Sequence, residues 1–157
     1  MDLAIVSGLC VLTVYAEFFS LFTNVSGMAF TFVILACFTI FIFLRKEVLF
    51  SVRKFFSKDM SARIAIIIIV AIPVLILAGQ PASHYDTDLY HAQSIRWIEE
   101  YGIAPGLGNL HHRLAYNSAF SSLQALFSWR FILGRSLHCV NGFLFLFFIC
   151  YFGVSYF

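Results

Sequence analysis

The stretch Ser83-His84-Tyr85-Asp86-Thr87-Asp88-Leu89-Tyr90-His91 sets two carboxylates and two imidazoles side by side in a chain that is 61% hydrophobic and only 11% charged. Ionisable groups at a membrane boundary are costly unless water, a ligand or a partner compensates them, which makes this cluster the candidate working site. Asp86 and Asp88 are the candidate catalytic residues. A carboxylate at a wet membrane surface can act as a general base toward a sugar hydroxyl when apolar surface or a second carboxylate raises its proton affinity. Asp86 is the preferred base, with Asp88 as a helix cap or a shared binding group. The same oxygens could instead bind a divalent cation, since hard cations take oxygen ligands. Zinc would suit His84, His91, His111 and His112, but their spacing matches no strong zinc pattern. A structural role stands beside each of these readings.

Two elements and a turn must position these groups. Asp86, Thr87 or Asp88 can cap a helix that runs to Tyr101, with Gly102 where helices commonly end in a left-handed residue. On it Tyr90, Ser94, Trp97 and Tyr101 share a face, and His91, Ile95 and Ile98 form a neighbouring stripe. Trp97 and Tyr101 suit the headgroup region, which predicts a helix lying on the outer membrane surface; packing against another external helix is the alternative. Ala104 to Arg113, with Pro105-Gly106 and Gly108, predicts a loop of turns rather than helix. Asn117 or Ser118 can then cap a second short helix through about Trp129, carrying Phe120, Leu123, Leu126 and Phe127 at core spacing. His91, Arg96, His111, Arg113 and Asn117 are the candidate substrate-binding residues. Arg96 and Arg113 could clamp a phosphate, because guanidinium donors match its oxygens bidentately; an ion pair between Arg96 and Glu99 or Glu100 is the competing use, and Glu100 has the helical spacing for it.

The remainder of the chain reads as membrane helix. Four runs approach or reach the roughly 20 apolar residues that cross a ~30 Å hydrocarbon core: about Leu3 to Phe22, Met28 to Leu44, Ala62 to Gly79 and Leu137 to Phe157. The expected fold is all-α and polytopic, with two short surface helices in a long loop between the third and fourth spans. Pro73 should kink the third span, which needs neighbouring helices to cover the lost hydrogen bond. Met1-Asp2-Leu3 lacks the basic residues of a signal peptide, so the first run reads as a retained anchor. Arg45, Lys46, Arg53, Lys54, Lys58 and Arg63 place the link 45–63 in the cytoplasm, Thr23 to Gly27 outside as a short turn, and residues 80–136 outside. The link also carries Phe50, Val52, Phe55 and Phe56, so it is either a solvated connector, the plainer reading, or an interfacial amphipathic helix. Its charge is explained by topology, and the net charge of +2 leaves no nucleic-acid footprint. Cys10, Cys37, Cys139 and Cys150 fall in the spans with no CxxC pair, so no disulfide framework is predicted.

The series Tyr85-Asp86-Thr87-Asp88-Leu89-Tyr90-His91, Trp97-Ile98-Glu99-Glu100-Tyr101-Gly102 and Pro105-Gly106-Leu107-Gly108-Asn109-Leu110-His111 through Asn117-Ser118, following a span that ends at Gly79, resembles a family of multispan proteins from bacterial surface-polysaccharide loci. That family looks like the GT-C glycosyltransferase superfamily. The resemblance covers roughly Leu75 to Phe147. It implies an integral protein of the bacterial inner membrane that transfers sugar from a polyprenyl-phosphate donor to a glycan acceptor at the external face, with Asp86 or Asp88 matching the external-loop base. Such transferases have more spans than four, so the resemblance also implies that this chain is the N-terminal part of a longer protein, inactive without its C-terminal spans or other membrane subunits. The competing functions are a non-catalytic membrane assembly module and a transporter or polymerase component of the same pathway; Glu17, midway through the first span, and Asn141 in the fourth keep the transport reading open, against a protonated Glu17 hydrogen-bonded within the bundle.

Overall fold

The computed structural model describes residues 2–55, 60–78, 85–115 and 118–155, and among them every regular element is helical. The long elements are α1 (Asp2–Ser20), α2 (Gly27–Phe55), α3 (Met60–Ala78) and α8 (Cys139–Ser155). Between α3 and α8 come α4 (Ala92–Tyr101), α5 (Leu107–Leu110), α6 (Ala119–Leu126) and α7 (Arg130–Leu133). Two helices are long and apolar enough to cross a membrane, over Leu3–Ser20 and Gly27–Arg53. Of the other two expected spans, the described residues give shorter apolar stretches, Ile67–Leu77 and Cys139–Ile149. α8 starts later than the apolar run because Leu137 is held outside it, its amide donating to the Ser128 carbonyl at 2.7 Å.

α2 departs most from the pattern read in the sequence. It does not give way to a connector after Leu44 but continues to Phe55, because nothing from Arg45 onward is a glycine or a proline. Its helical geometry breaks once, at Leu44 (φ −107°, ψ 21°), directly before Arg45. From Gly27 to that break the helix rises about 27 Å. The break therefore falls where the apolar sequence gives way to bases, and the basic part through Arg53 is helical. Lys58 and Phe56 lie outside the described residues. α3 does not stand alone around Pro73: it packs along α8, and a Cβ at Gly142 would lie 3.0 Å from Val74 Cγ1, so the missing side chain sets how closely the pair approaches.

The buried centre is small and sits at one end of α1. Ala16, Val25, Ala29, Ile95, Ala125 and Leu126 form it, with Tyr15, Phe19, Ile98 and Phe127 packed around. Small residues on α1 and α2 leave room for α6, whose Ser122 to Leu126 are all buried. α6 packs against both α1 and α4, where Leu123 and Leu126 are buried, so of the two arrangements read from the sequence the structure shows the packing of one short helix against the other. Glu17 is in the last turn of α1, not midway, and its Oε2 accepts from Ser122 Oγ at 2.6 Å. The carboxylate thereby joins α1 to α6. Cys10, Cys37 and Cys139 are free thiols.

Backbone hydrogen bonds tie the turn between α1 and α2 to the end of α4. Ile103 N donates to Ser20 O at 2.8 Å, Val25 N to Ile98 O at 3.0 Å, and the side-chain Asn24 Nδ2 to Glu99 O at 3.2 Å, so carbonyls at two helix ends accept from each other's loops. Gly102 lies at this crossing. It has φ +78° as expected at a helix end, but ψ −152° takes it out of the left-handed helical region and onto α1. A Cβ there would sit 2.6 Å from both Ser20 O and Thr23 O. Gly102→Ala is expected to destabilise the protein by at least about 2 kcal/mol, from backbone strain and a clash with atoms that cannot rotate away. Thermal unfolding in detergent micelles would measure it, and an unchanged midpoint would refute this role.

Candidate functional site

The helix leading into the site begins upstream of its expected cap. Tyr85 and Asp86 are already helical, Asp86 at φ −66° and ψ −24°, and no side chain caps the turn that follows. The capping roles proposed for Asp86, Thr87 and Asp88 are therefore corrected. None of these side chains makes a capping bond, so they are free for other partners. Thr87–His91 forms a π turn, in which the Ala92 amide donates to the Thr87 carbonyl five residues back, before α4 continues to Tyr101. Such turns insert a residue and so place neighbouring side chains on one side of a helix.

Asp86 Oδ1 accepts from Arg113 Nη1 at 2.8 Å, and the Arg113 guanidinium stands 5.0 Å from the centre of the Tyr90 ring. The Tyr90 ring in turn contacts that of His91, 4.2 Å between centroids. Arg113 reaches this position because the segment before it folds back. Gly106 adopts φ +88°, α5 makes one helical turn, and His112–Ala115 makes a 3₁₀ turn. The loop expected over 104–113 is accordingly part helical: Leu107 to Leu110 follow the glycine that carries the tight turn and form a single helical turn. Ser118 precedes α6 but makes no capping bond, and α6 ends at Leu126, short of Trp129, whose φ of +56° redirects the chain into α7.

Arg113, His91, Tyr90 and Thr87 border a cleft of about 380 Å³, whose other walls include Gln124 of α6, His138 and Asn141. Ser94, Ser118 and Ser121 separate it from a second space of about 400 Å³ bordered by Trp97, Asn109, Gly106 and Gly108. Both spaces lie between α4, α6 and the folded-back segment. One is lined by a cation, imidazoles and amides, and the other by an indole ring, glycine backbone and serines.

The sequence candidates separate on this geometry. His91 and Arg113 border the first cleft, and Asp86 meets it through Arg113. Asp88 is exposed and makes no hydrogen bond or ion pair among the described residues. Arg96 Nε pairs with Glu100 Oε1 at 3.0 Å, the competing use foreseen from its spacing, and does not border the cleft. His111 stacks on His112 with 4.8 Å between ring centres, and its Nδ1 accepts from the Arg113 amide at 3.3 Å. That acceptor role holds the segment carrying Arg113 and leaves His111 outside the cleft wall. Asn117 and His84 lie outside the described residues. The helical stripe that is buried on α4 is Ile95 and Glu99, while Tyr101 stays exposed against Trp97. No three His, Cys, Asp or Glu side chains converge as a metal site among the described residues.

Sequence reading missed Gln124 and His138. The usable signal for Gln124 was an amide between Leu123 and Ala125 in a helix with core spacing, where an apolar residue belongs.

Residues 1–156 match the family described as Domain of unknown function (DUF8201). The chain belongs to that family. No curated protein and no solved structure matches it. Within this family member, a cation, a phenol ring, two imidazoles and two amides, Gln124 buried and Asn141 exposed, border one cleft, an arrangement suited to an anionic ligand that also carries hydrogen-bonding groups.

Proposed function

We propose that this chain is part of a polytopic protein of the bacterial inner membrane that transfers a sugar from a polyprenyl-phosphate donor to a glycan acceptor at the external face. The observation that carries this reading is the Asp86–Arg113 pair, which joins a carboxylate and a phosphate-matching cation at the edge of a polar cleft. Guanidinium donors of Arg113 not used by Asp86 hold the donor phosphate. The acceptor hydroxyl attacks the anomeric carbon as its proton passes to Asp86; the bond from that carbon to the phosphate oxygen breaks, and the polyprenyl phosphate leaves with its added charge against Arg113. The aromatic space beside Trp97 receives the acceptor, whose rings stack on the indole.

In this reading α1, α2, α3 and α8 are the four spans; its support is that α1 and α2 are long and apolar enough to cross a membrane and that α3 and α8, whose apolar stretches are shorter, pack together. With residues 45–63 inside, residues 80–136 face out. In a cysteine-free background, His112→Cys is expected to react with a membrane-impermeant maleimide in intact cells, and Ser51→Cys only after permeabilisation. The reverse pattern would put the cleft in the cytoplasm. The function itself is tested by sugar transfer from a polyprenyl-phosphate donor in membranes containing the full-length protein. Arg113→Gln is expected to lower transfer by about 10- to 100-fold, the loss of a charge-assisted contact. Transfer no greater than in membranes lacking the protein would overturn the reading.

A further inference from the structure

α2 does not end where its apolar sequence does. Its helical geometry breaks at Leu44, about 27 Å from Gly27 and so near the ~30 Å depth of a hydrocarbon core, and the helix then resumes to Phe55. In the resumed part Lys46, Leu49, Phe50 and Arg53 stand at i, i+3, i+4 and i+7 and share one side, with a base at each end and two apolar residues between. All four are exposed, Leu49 by 46% and Phe50 by 67%, so they add little to the packing of the chain itself. Neither Lys46 nor Arg53 has an ion pair among the described residues, and Glu47, about 100° round the helix from Lys46, lies off the stripe.

We infer that this side of α2 is a binding surface for acidic phospholipids, with Lys46 and Arg53 each holding a lipid phosphate while Leu49 and Phe50 enter the acyl boundary between them. The occupant is a bilayer leaflet because the stripe continues a helix of membrane-spanning length, and the break at Leu44 releases it from the direction of the span at the depth where headgroups begin. Its charge selects among lipids. Phosphate oxygens accept from ammonium and guanidinium donors alike, but a choline headgroup cancels the phosphate charge, whereas a glycerol headgroup leaves it uncompensated. Lysine and arginine also lay their stems along apolar surface while the charged ends stay in water, so both bases can remain at the headgroups with Leu49 and Phe50 sunk between them. The inference rests on α2 crossing a membrane; it depends neither on sugar transfer nor on which end of α2 is cytoplasmic.

The test uses the full chain, free of native cysteines, in nanodiscs of phosphatidylcholine with increasing shares of phosphatidylglycerol. A nitroxide is attached at Leu49→Cys on the stripe, at Ser51→Cys on the opposite side, or at Phe38→Cys within the apolar part of α2, and its collisions with oxygen and with a neutral nickel chelate are measured. The Phe38 label should be shielded from nickel in every lipid. The Leu49 label should become shielded as phosphatidylglycerol is added, while the Ser51 label stays open to water. Lys46→Gln and Arg53→Gln should each raise the share of phosphatidylglycerol needed for that change about five-fold, and Lys46→Arg should leave it in place. A Leu49 label that matches Ser51 in every lipid, or a response to phosphatidylglycerol that survives Lys46→Gln with Arg53→Gln, would overturn the inference while a shielded Phe38 label kept α2 as a span. Nickel access at Phe38 would remove the span and the inference together.

Discussion

Asp86→Asn is expected to lower sugar transfer by about 10²- to 10⁴-fold at matched expression, the range for loss of a positioned general base. The substitution keeps the size of the side chain and one acceptor oxygen for Arg113, and removes charge and basicity. Its effect on folding should be small. The Asp86 and Arg113 side chains are 34% and 42% exposed, and a pair so accessible to water contributes only about 0–1 kcal/mol. A large activity loss therefore could not be assigned to unfolding, and thermal unfolding of the variant checks this directly. Asp88→Asn is the internal control. Asp88 is exposed and makes no cap or ion pair among the described residues, so its variant should transfer at close to the wild-type rate. Transfer by Asp86→Asn at the wild-type rate would remove Asp86 as the base, and a severe loss confined to Asp88→Asn would exchange the two assignments.

The asymmetry between the two aspartates marks how far the sequence alone could be read. Composition gave the helical class, and the apolar runs located α1, α3 and α8 to within a few residues of their ends and α2 at its start, but not its extension from Leu44 to Phe55, because hydropathy locates the hydrocarbon-compatible part of a helix and not its polar continuation. Helix spacing also anticipated the Arg96–Glu100 pair, a contact between neighbours on one turn. The pairing of Asp86 with Arg113 depends on the chain reversing at Gly106 and on the two short turns after it, and no local pattern encodes that distance. Capping was misjudged for a related reason: the polar residues Asp86, Thr87 and Asp88 resemble a helix start, yet the helix already includes Tyr85 and relaxes into a π turn that periodicity of 3.6 does not anticipate. The burial of α6 was half legible. Its core-spaced leucines were evident, but not that α1 and α2 present Ala16 and Ala29 as the small-residue seat for it.

Arg130→Met is expected to destabilise the protein by about 3 kcal/mol, the largest loss of stability among single charge removals here, because it strands a buried carboxylate. The Glu99 side chain is 1% exposed. Its Oε2 accepts from Ser136 Oγ at 2.7 Å and lies 3.9 Å from Arg130 Nε, while Oε1 is buried without a hydrogen-bond partner among the described residues. Arg130 is the guanidinium nearest to it, and Arg130 Nη2 also donates to Glu100 Oε1 at 2.7 Å, where Arg96 binds from the other side. One arginine of α7 thus anchors the last turn of α4, the turn that ends at Gly102 against α1. Losing it would loosen the wall of both polar spaces as well as the fold. Arg96→Met provides the contrast: Arg96 is 55% exposed, and its removal should cost no more than about 0.5 kcal/mol. Glu99→Gln in the Arg130→Met background should recover part of the stability, since a neutral amide needs no counter-charge. Chemical or thermal unfolding of the three variants decides the matter. An Arg130→Met loss no greater than that of Arg96→Met, or a double variant less stable than Arg130→Met alone, would mean that Glu99 is compensated by groups other than Arg130.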